Sequence, residues 1–97
     1  MKKAVIYVRG NQEKMQEIVC RLYASDKGYK ILYATNNIED VNLCNVMLIS
    51  NPSRITRNRE EYENTVSKLK ARGIEVESVA NQVESGALLW TARELMN

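Results

Sequence analysis

Three arginines are the residues of this 97-residue chain whose types and spacing could do chemistry. Arg54 and Arg57 stand three positions apart at the start of a predicted helix, so we expect both guanidinium groups on one side of its first turn. A helix N-terminus also presents free N–H groups and the positive end of the helix dipole, and both favour an anion. If the first and third strands are neighbours, Arg9 and Gly10 emerge at the same edge. The sequence therefore predicts a phosphate site at Arg9, Arg54 and Arg57.

The same arginines also allow a purely structural interpretation. Arginines early in an exposed helix are usually solvated or paired with nearby carboxylates, and Glu60, Glu61 and Glu63 follow directly. An arginine in the first turn opposes the helix dipole unless an anion compensates for it, which favours the phosphate site. The spacing alone leaves both interpretations open.

The amino-acid composition reduces the number of possible catalytic and metal sites. The chain has no histidine, which removes the usual general base and the usual zinc ligand. Cys20 and Cys44 are too few and too far apart for a metal motif, so we expect neither a metal nor a cofactor. A net charge of +2 with 44% hydrophobic residues is ordinary for a globular domain. Without a long apolar run or a signal-peptide pattern, the chain is expected to be cytoplasmic, with no membrane partner.

Hydrophobic periodicity predicts strands alternating with helices. Residues 4–8 are apolar throughout, as in a strand covered on both faces, and Met15, Ile18, Val19 and Leu22 have helical spacing. Gly28 and Gly73 are expected to end helices, and Ser53 to cap one. The predicted strands are 4–8, 29–34, 44–50 and 74–79, the predicted helices are 12–27, 54–72 and 83–96, and residues 35–40 form a turn or a short helix. We expect one α/β domain over residues 1–97, a small three-layer sandwich with a mostly parallel four-stranded sheet.

Two segments resemble the catalytic domain of the serine recombinases, the resolvase and invertase family. Residues 4–9 are similar to the family's opening Tyr-x-Arg strand, and residues 48–58 resemble its Asp-Arg-Leu-x-Arg segment. Residues 71–76 are similar to the stretch that follows. The resemblance implies a resolvase-like fold and site-specific DNA recombination, in which a serine after the first strand attacks a DNA phosphodiester. It also implies that Arg9, Arg54 and Arg57 match arginines that stabilise the developing phosphate charge.

The sequence departs from the family pattern where the chemistry occurs. Asn11 occupies the position of the serine nucleophile, and a carboxamide cannot form the phosphoester intermediate. Ser53 replaces the family's aspartate. We therefore expect a degenerate, catalytically inactive domain with no confident catalytic residue, acting as a DNA-phosphate-binding or protein-interaction module. An active strand-exchange enzyme with a displaced nucleophile and a small anion- or nucleotide-binding domain stay open, although no Gly-rich phosphate loop supports the latter.

The last predicted helix carries more apolar surface than one buried stripe needs. Its candidate oligomer-interface residues are Leu88, Leu89, Trp90, Leu95 and Met96. The expected partners are DNA and another chain, either a second copy or an active recombinase, while folding of this helix onto its own sheet stays open. Because the sequence ends at Asn97, we expect a truncated family member without a C-terminal DNA-binding domain.

Overall fold

The computed structural model describes residues 1–82. The predicted last helix and its candidate interface residues, Leu88, Leu89, Trp90, Leu95 and Met96, lie outside the described residues. The elements in chain order are β1 (Lys3–Tyr7), α1 (Glu13–Lys27), β2 (Lys30–Thr35), a 3-10 helix (Ile38–Asp40), β3 (Val46–Ile49), a second 3-10 helix (Pro52–Arg54), α2 (Arg59–Ala71), β4 (Glu75–Ser78) and α3 (Val79–Gln82).

The four strands form one parallel sheet in the order β2-β1-β3-β4. β1 lies in the interior and pairs with β3 from Ala4 opposite Val46 to Ile6 opposite Leu48. The first and third strands are therefore neighbours, which is the condition under which Arg9 and Gly10 were expected at the same edge as Arg54. Since carboxyl ends of parallel strands meet at one edge, the segments that follow β1 and β3 are brought together there.

Both faces of the sheet are covered. On one face, Ile6 and Leu48 pack with Tyr23 of α1, and on the other face Val5 and Met47 lie in a cluster with residues of α2. The central strands are buried along their whole apolar length because each face meets a helix. The predicted α/β three-layer sandwich is confirmed, and the described sheet is parallel throughout.

The start of α2 differs from the prediction. The helix begins at Arg59 and not at Arg54, and its N-cap is Asn58, whose side chain accepts from the N–H groups of Glu60 and Glu61 at 2.9 and 3.1 Å. The prediction that Ser53 caps this helix is wrong. Asparagine caps helices as well as serine does, and Ile55 is drawn into the core at 6% exposure, so the chain turns once before the helix starts.

The other bounds shift by one or two residues. The segment after β2 is a 3-10 helix, in which the Asn37 side chain accepts from the Glu39 N–H at 3.0 Å. The buried stripe of α1 consists of Gln16, Cys20, Tyr23 and Ala24. The predicted stripe residues Met15, Ile18, Val19 and Leu22 are half-buried beside it.

Candidate functional site

The turn after β1 is built from two residues in the left-handed backbone region. Gly10 has φ +83° and Gln12 has φ +61°. Glycine adopts this conformation without a steric penalty, whereas an L-residue such as Gln12 is strained by it. A side-chain carbon at Gly10 would lie 3.5 Å from Nη1 of Arg54. The turn therefore brings the end of β1 close to the arginine that follows β3.

A buried glutamine holds this turn in place. Gln16 is only 4% exposed, and its side-chain amide donates to the carbonyls of Arg9 and Asn11 at 2.9 and 2.8 Å. Its Oε1 accepts from the Arg9 N–H at 3.0 Å. Gln16 was not among the residues predicted for the site. One sequence signal was available: Gln16 precedes Val19 by three positions and Cys20 by four, a spacing that places it on the buried face of α1.

Arg9 and Arg54 meet at the carboxyl edge, as predicted. Nη1 of Arg9 donates to the Ile55 carbonyl at 3.0 Å, and Nη1 of Arg54 donates to the Arg9 carbonyl at 3.3 Å. Nε of Arg54 is buried and has no hydrogen-bond partner in residues 1–82. Each guanidinium carries five N–H donors, so most remain for another acceptor. In the structure both side chains fasten the turn after β1 to the turn after β3.

Arg57 stands apart from this pair. It is exposed, and within residues 1–82 no hydrogen bond or ion pair joins it to Arg9, Arg54 or another side chain. It lines an open depression of about 430 Å³. The other residues of this depression are Pro52, Ser53, Thr56, Arg59 and Tyr62. The structure therefore joins two of the three predicted arginines and places the third on the adjacent surface.

The electrostatics of the α2 N-terminus also differ from the prediction. Arg54 and Arg57 precede the helix, so they do not stand in its first turn. That turn carries Glu60 and Glu61, and its first N–H groups are taken by the Asn58 side chain. Because the helix end is satisfied by its own cap and carboxylates, the dipole argument for an anion at this end does not hold.

No hydroxyl lies in the turn after β1, where Asn11 is exposed and its carbonyl is held by Gln16. The serines nearest to Arg54 in sequence are engaged or enclosed. The Ser53 Oγ donates to the Asn51 side chain, and the Ser50 Oγ is buried without a partner in the described part of the chain. The structure therefore places no exposed hydroxyl in the turn after β1, where the resemblance led us to expect Asn11 in place of a nucleophile.

A second polar cluster, also missed from sequence, lies on the α1 face. The hydroxyls of Tyr23 and Tyr29 donate to the Glu77 carboxylate at 2.6 and 3.0 Å. Burial and the hydrogen bond to Glu77 raise the pKa of Tyr29 to about 12, and the same causes raise the pKa of Tyr23. Burial likewise raises the pKa of the Cys20 thiol to about 12, so this thiol is not a reactive one.

Comparison with known proteins identifies the fold. No protein-family model and no curated protein sequence matches the chain. Solved structures do match it, among them two catalytic domains. The C-terminal catalytic domain of ISC1926 TnpA, an IS607-like serine recombinase, superposes with a TM-score of 0.65 and 22% identity over 96% of this chain and 78% of that one. The N-terminal catalytic domain of TP901-1 integrase superposes with a TM-score of 0.72 and 17% sequence identity, over 98% of this chain and 92% of that one.

The chain therefore has the fold of serine recombinase catalytic domains. The resemblance predicted from its first strand and its arginine segment is confirmed for the fold. Within residues 1–82 no helix has the length and apolarity needed to cross a membrane, and no group of His, Cys, Asp and Glu has the arrangement of a metal site.

Proposed function

We propose that this chain is a recombination-related domain that contacts DNA phosphate without cutting DNA. The observation that carries the proposal is the carboxyl edge of β1 and β3, where Arg9 and Arg54 interlock beside a turn that holds Asn11 and no hydroxyl. The shared fold supports the class of function, because both structural neighbours are catalytic domains of serine recombinases or integrases.

The three arginines have different roles in this proposal. Arg9 and Arg54 each donate one hydrogen bond to a backbone carbonyl of the neighbouring turn, so they fix the conformation of the carboxyl edge. Arg57 is exposed on the depression beside the hydroxyls of Ser53 and Thr56, so it is the cation that a phosphate reaches first. Guanidinium groups bind phosphate oxygens in pairs of parallel hydrogen bonds, which suits Arg57 to this contact.

Covalent chemistry is left out of the proposal because of Asn11. Phosphoryl transfer to a side chain needs a positioned nucleophile with a base or charge that activates it. The carboxamide of Asn11 supplies none, and Ser53 spends its hydroxyl on Asn51. We infer that the arginines hold DNA at a position where no strand is broken.

The test is duplex binding across a salt series, with Arg57→Ala compared with Arg21→Ala. Arg21 is an exposed control on α1 that pairs with Glu17 at 2.8 Å. If Arg57 contacts one phosphate, its removal weakens binding equally on unrelated sequences and lowers the salt slope by about 0.9. Equal binding by the two variants would overturn the phosphate contact.

Association with another chain is a second candidate, favoured by the apolar content of the sequence near the C-terminus. The residues concerned are Leu88, Leu89, Trp90, Leu95 and Met96. Sedimentation of wild type and of Leu89→Glu plus Trp90→Glu tests it. A concentration-dependent dimer, or a complex with an active recombinase, that dissociates in the variant supports the candidate. A monomeric wild type that forms no complex with a recombinase would exclude it.

A further inference from the structure

The amino edge of the sheet, opposite the arginines, collects basic side chains. In a sheet of parallel strands joined by helices, the starts of the strands and the ends of the helices lie at this same edge. β1 and β2 begin there, and α1 and α2 end there. The basic edge is defined by seven residues, Lys2, Lys3, Lys27, Lys30, Lys68, Lys70 and Arg72, which are half of the chain's 14 lysines and arginines.

Few carboxylates balance this edge. Within residues 1–82, Asp26 in the last turn of α1 and Glu75 at the start of β4 are its acidic residues, which leaves an excess of five positive charges. Glu77 lies further along β4, and counting it still leaves four. The whole chain carries only +2, so the remainder of the chain is net negative. Among the described residues, the excess of positive charge therefore lies at this edge.

The seven cations are exposed, and few are engaged. Lys2 lies 4.0 Å from Glu75 with both side chains more than half exposed, a pair that contributes little. Arg72 donates to the Val41 carbonyl at 3.1 Å, and Lys27 lies 5.7 Å from the centre of the Tyr23 ring. Within residues 1–82 no other ion pair holds them. The charges therefore face solvent and are available to an anionic partner.

Helix dipoles explain only some of these positions. Lys27, Lys68 and Lys70 lie in the last turns of helices, where a cation is stabilised by the negative end of the dipole. Lys2, Lys3 and Lys30 precede or begin strands, and a sheet has only a small net dipole. The strand lysines gain no comparable stabilisation from a dipole, although Lys2 lies 6.0 Å from the centre of the Tyr29 ring. Helix dipoles alone therefore do not account for the concentration of charge at this edge.

We propose that the basic edge binds the phosphate backbone of duplex DNA. Three strand spacings of about 4.8 Å give the sheet edge a width of roughly 14 Å. Duplex DNA carries one charge per about 1.7 Å of its axis with both strands counted, so a segment of that width has roughly eight phosphates, some of which face the protein. Six of the seven cations are lysines, point charges that suit backbone contacts without reading bases.

This surface takes a DNA segment separate from the one assigned to Arg57. The two edges face opposite directions and are separated by the length of the strands, roughly 16 Å for the five residues of β1. A straight duplex lying on one edge does not reach the other. The inference goes beyond the proposed function and does not depend on it.

The experiment compares two double variants of the full chain with the same loss of charge. Lys3→Gln plus Lys30→Gln removes two cations of the basic edge, and Lys14→Gln plus Arg21→Gln removes two exposed cations of α1. Binding to a short duplex is measured from low to moderate salt, in wild type and in the Arg57→Ala background. We expect the first pair to lower the salt slope by about 1.8 and to weaken binding at least tenfold at low salt, with little change in the control pair.

Equal effects of the two double variants would overturn the proposal, because they would reflect net charge alone. Stronger binding of the wild type to anionic lipid vesicles than to the duplex would also overturn it. A loss of binding in the Lys3 and Lys30 variant without any effect of Arg57→Ala supports the basic edge and contradicts the proposed function. Urea unfolding of both double variants checks folding, and exposed substitutions of this kind change stability by less than about 0.5 kcal/mol.

Discussion

The two edges of the sheet handle positive charge in different ways. At the carboxyl edge, Arg9 and Arg54 are tied into turns by hydrogen bonds to backbone carbonyls, and Gln16 fixes the turn between them. At the amino edge, lysines stand exposed with few partners. The first arrangement fixes guanidinium groups in space, whereas the second only concentrates charge. Geometry of the first kind suits one phosphate, and charge of the second kind suits a long polyanion.

This difference has a consequence for mutation. A side chain that fastens the fold changes stability when it is removed, whereas an exposed lysine changes binding alone. Substitutions at the carboxyl edge are therefore expected to affect unfolding and DNA binding together. Substitutions of the exposed lysines at the amino edge are expected to leave unfolding unchanged. The predictions below test the contrast from the largest effect to the smallest.

The largest effect is expected for Gln16→Leu. Leucine fills much of the space but leaves the Arg9 N–H and the Asn11 carbonyl without their partner, and the Arg9 carbonyl keeps only the 3.3 Å bond from Arg54. Each buried group left unsatisfied costs about 1–3 kcal/mol, so we expect a loss of about 3 kcal/mol in urea unfolding after partial access of water. Lys14→Leu, on the exposed side of the same helix, is the control and should change stability by less than about 0.5 kcal/mol. Equal stability of the two variants would show that the turn does not depend on Gln16.

A pair of substitutions in the same turn should act with opposite signs. Gly10→Ala places an L-residue at φ +83°, which costs about 1–2 kcal/mol. Gln12→Gly relieves an L-residue held at φ +61° and is expected to be neutral or stabilising by up to about 1 kcal/mol. Thermal and urea unfolding measure both. Destabilisation by Gln12→Gly comparable with that by Gly10→Ala would mean that the Gln12 side chain makes a contribution larger than its backbone strain.

Alkaline pH should weaken the hydrogen bonds between Tyr29 and Glu77 and thereby lower the stability of the fold. The folded protein holds the Tyr29 proton up to a pKa of about 12, against an ordinary value of 10.0, so the unfolded chain releases it first. The resulting stability is complete below pH 10 and is lost as the pH rises towards 12. Tyr29→Phe should unfold with a shallower pH dependence in that window and lose about 1 kcal/mol at neutral pH. If the free energy of unfolding of Tyr29→Phe varied with pH as it does in wild type, Tyr29 would not be the source of the alkaline loss of stability.

The smallest effect is expected for Arg59→Ala. Arg59 pairs with Glu63 at 3.2 Å, and the two side chains are 91% and 62% exposed. Such an exposed pair contributes at most about 0.5 kcal/mol, so urea unfolding should hardly change. A loss above about 1 kcal/mol would show that Arg59, at the depression beside Arg57, contributes to the stability of the fold. The DNA affinities of variants in this depression would then have to be corrected for the fraction of unfolded protein.

Much of the fold could be predicted from the residues. The unbroken apolar run of β1 indicates a strand covered on both faces, and Gly28 lies in the left-handed conformation that ends α1. The parallel sheet could be predicted, whereas the pairing of β1 with β3 entered only as a condition. The start of α2 could not be predicted, because Ser53, Asn51 and Asn58 are all good caps and the burial of Ile55 decides between them.

The candidate site was predicted less completely. Arg9 and Arg54 could be placed at one edge because they directly follow neighbouring strands. The separate position of Arg57 depends on the turn before α2, which spacing alone does not fix. Gln16 and the pair of Tyr29 with Glu77 were missed, since their hydrogen bonds join positions five or more residues apart. For Gln16, the available signal was its place on the buried face of α1.

The central claim is that DNA is held at the carboxyl edge without being cut. The direct test incubates wild type and Arg54→Ala plus Arg57→Ala with end-labelled duplex, then measures binding by mobility shift and covalent attachment on a denaturing gel. We expect a wild-type complex that weakens in the double variant and no labelled protein after denaturation. A denaturation-resistant protein–DNA adduct in wild type, lost in Ser53→Ala, would contradict the claim and identify a displaced nucleophile.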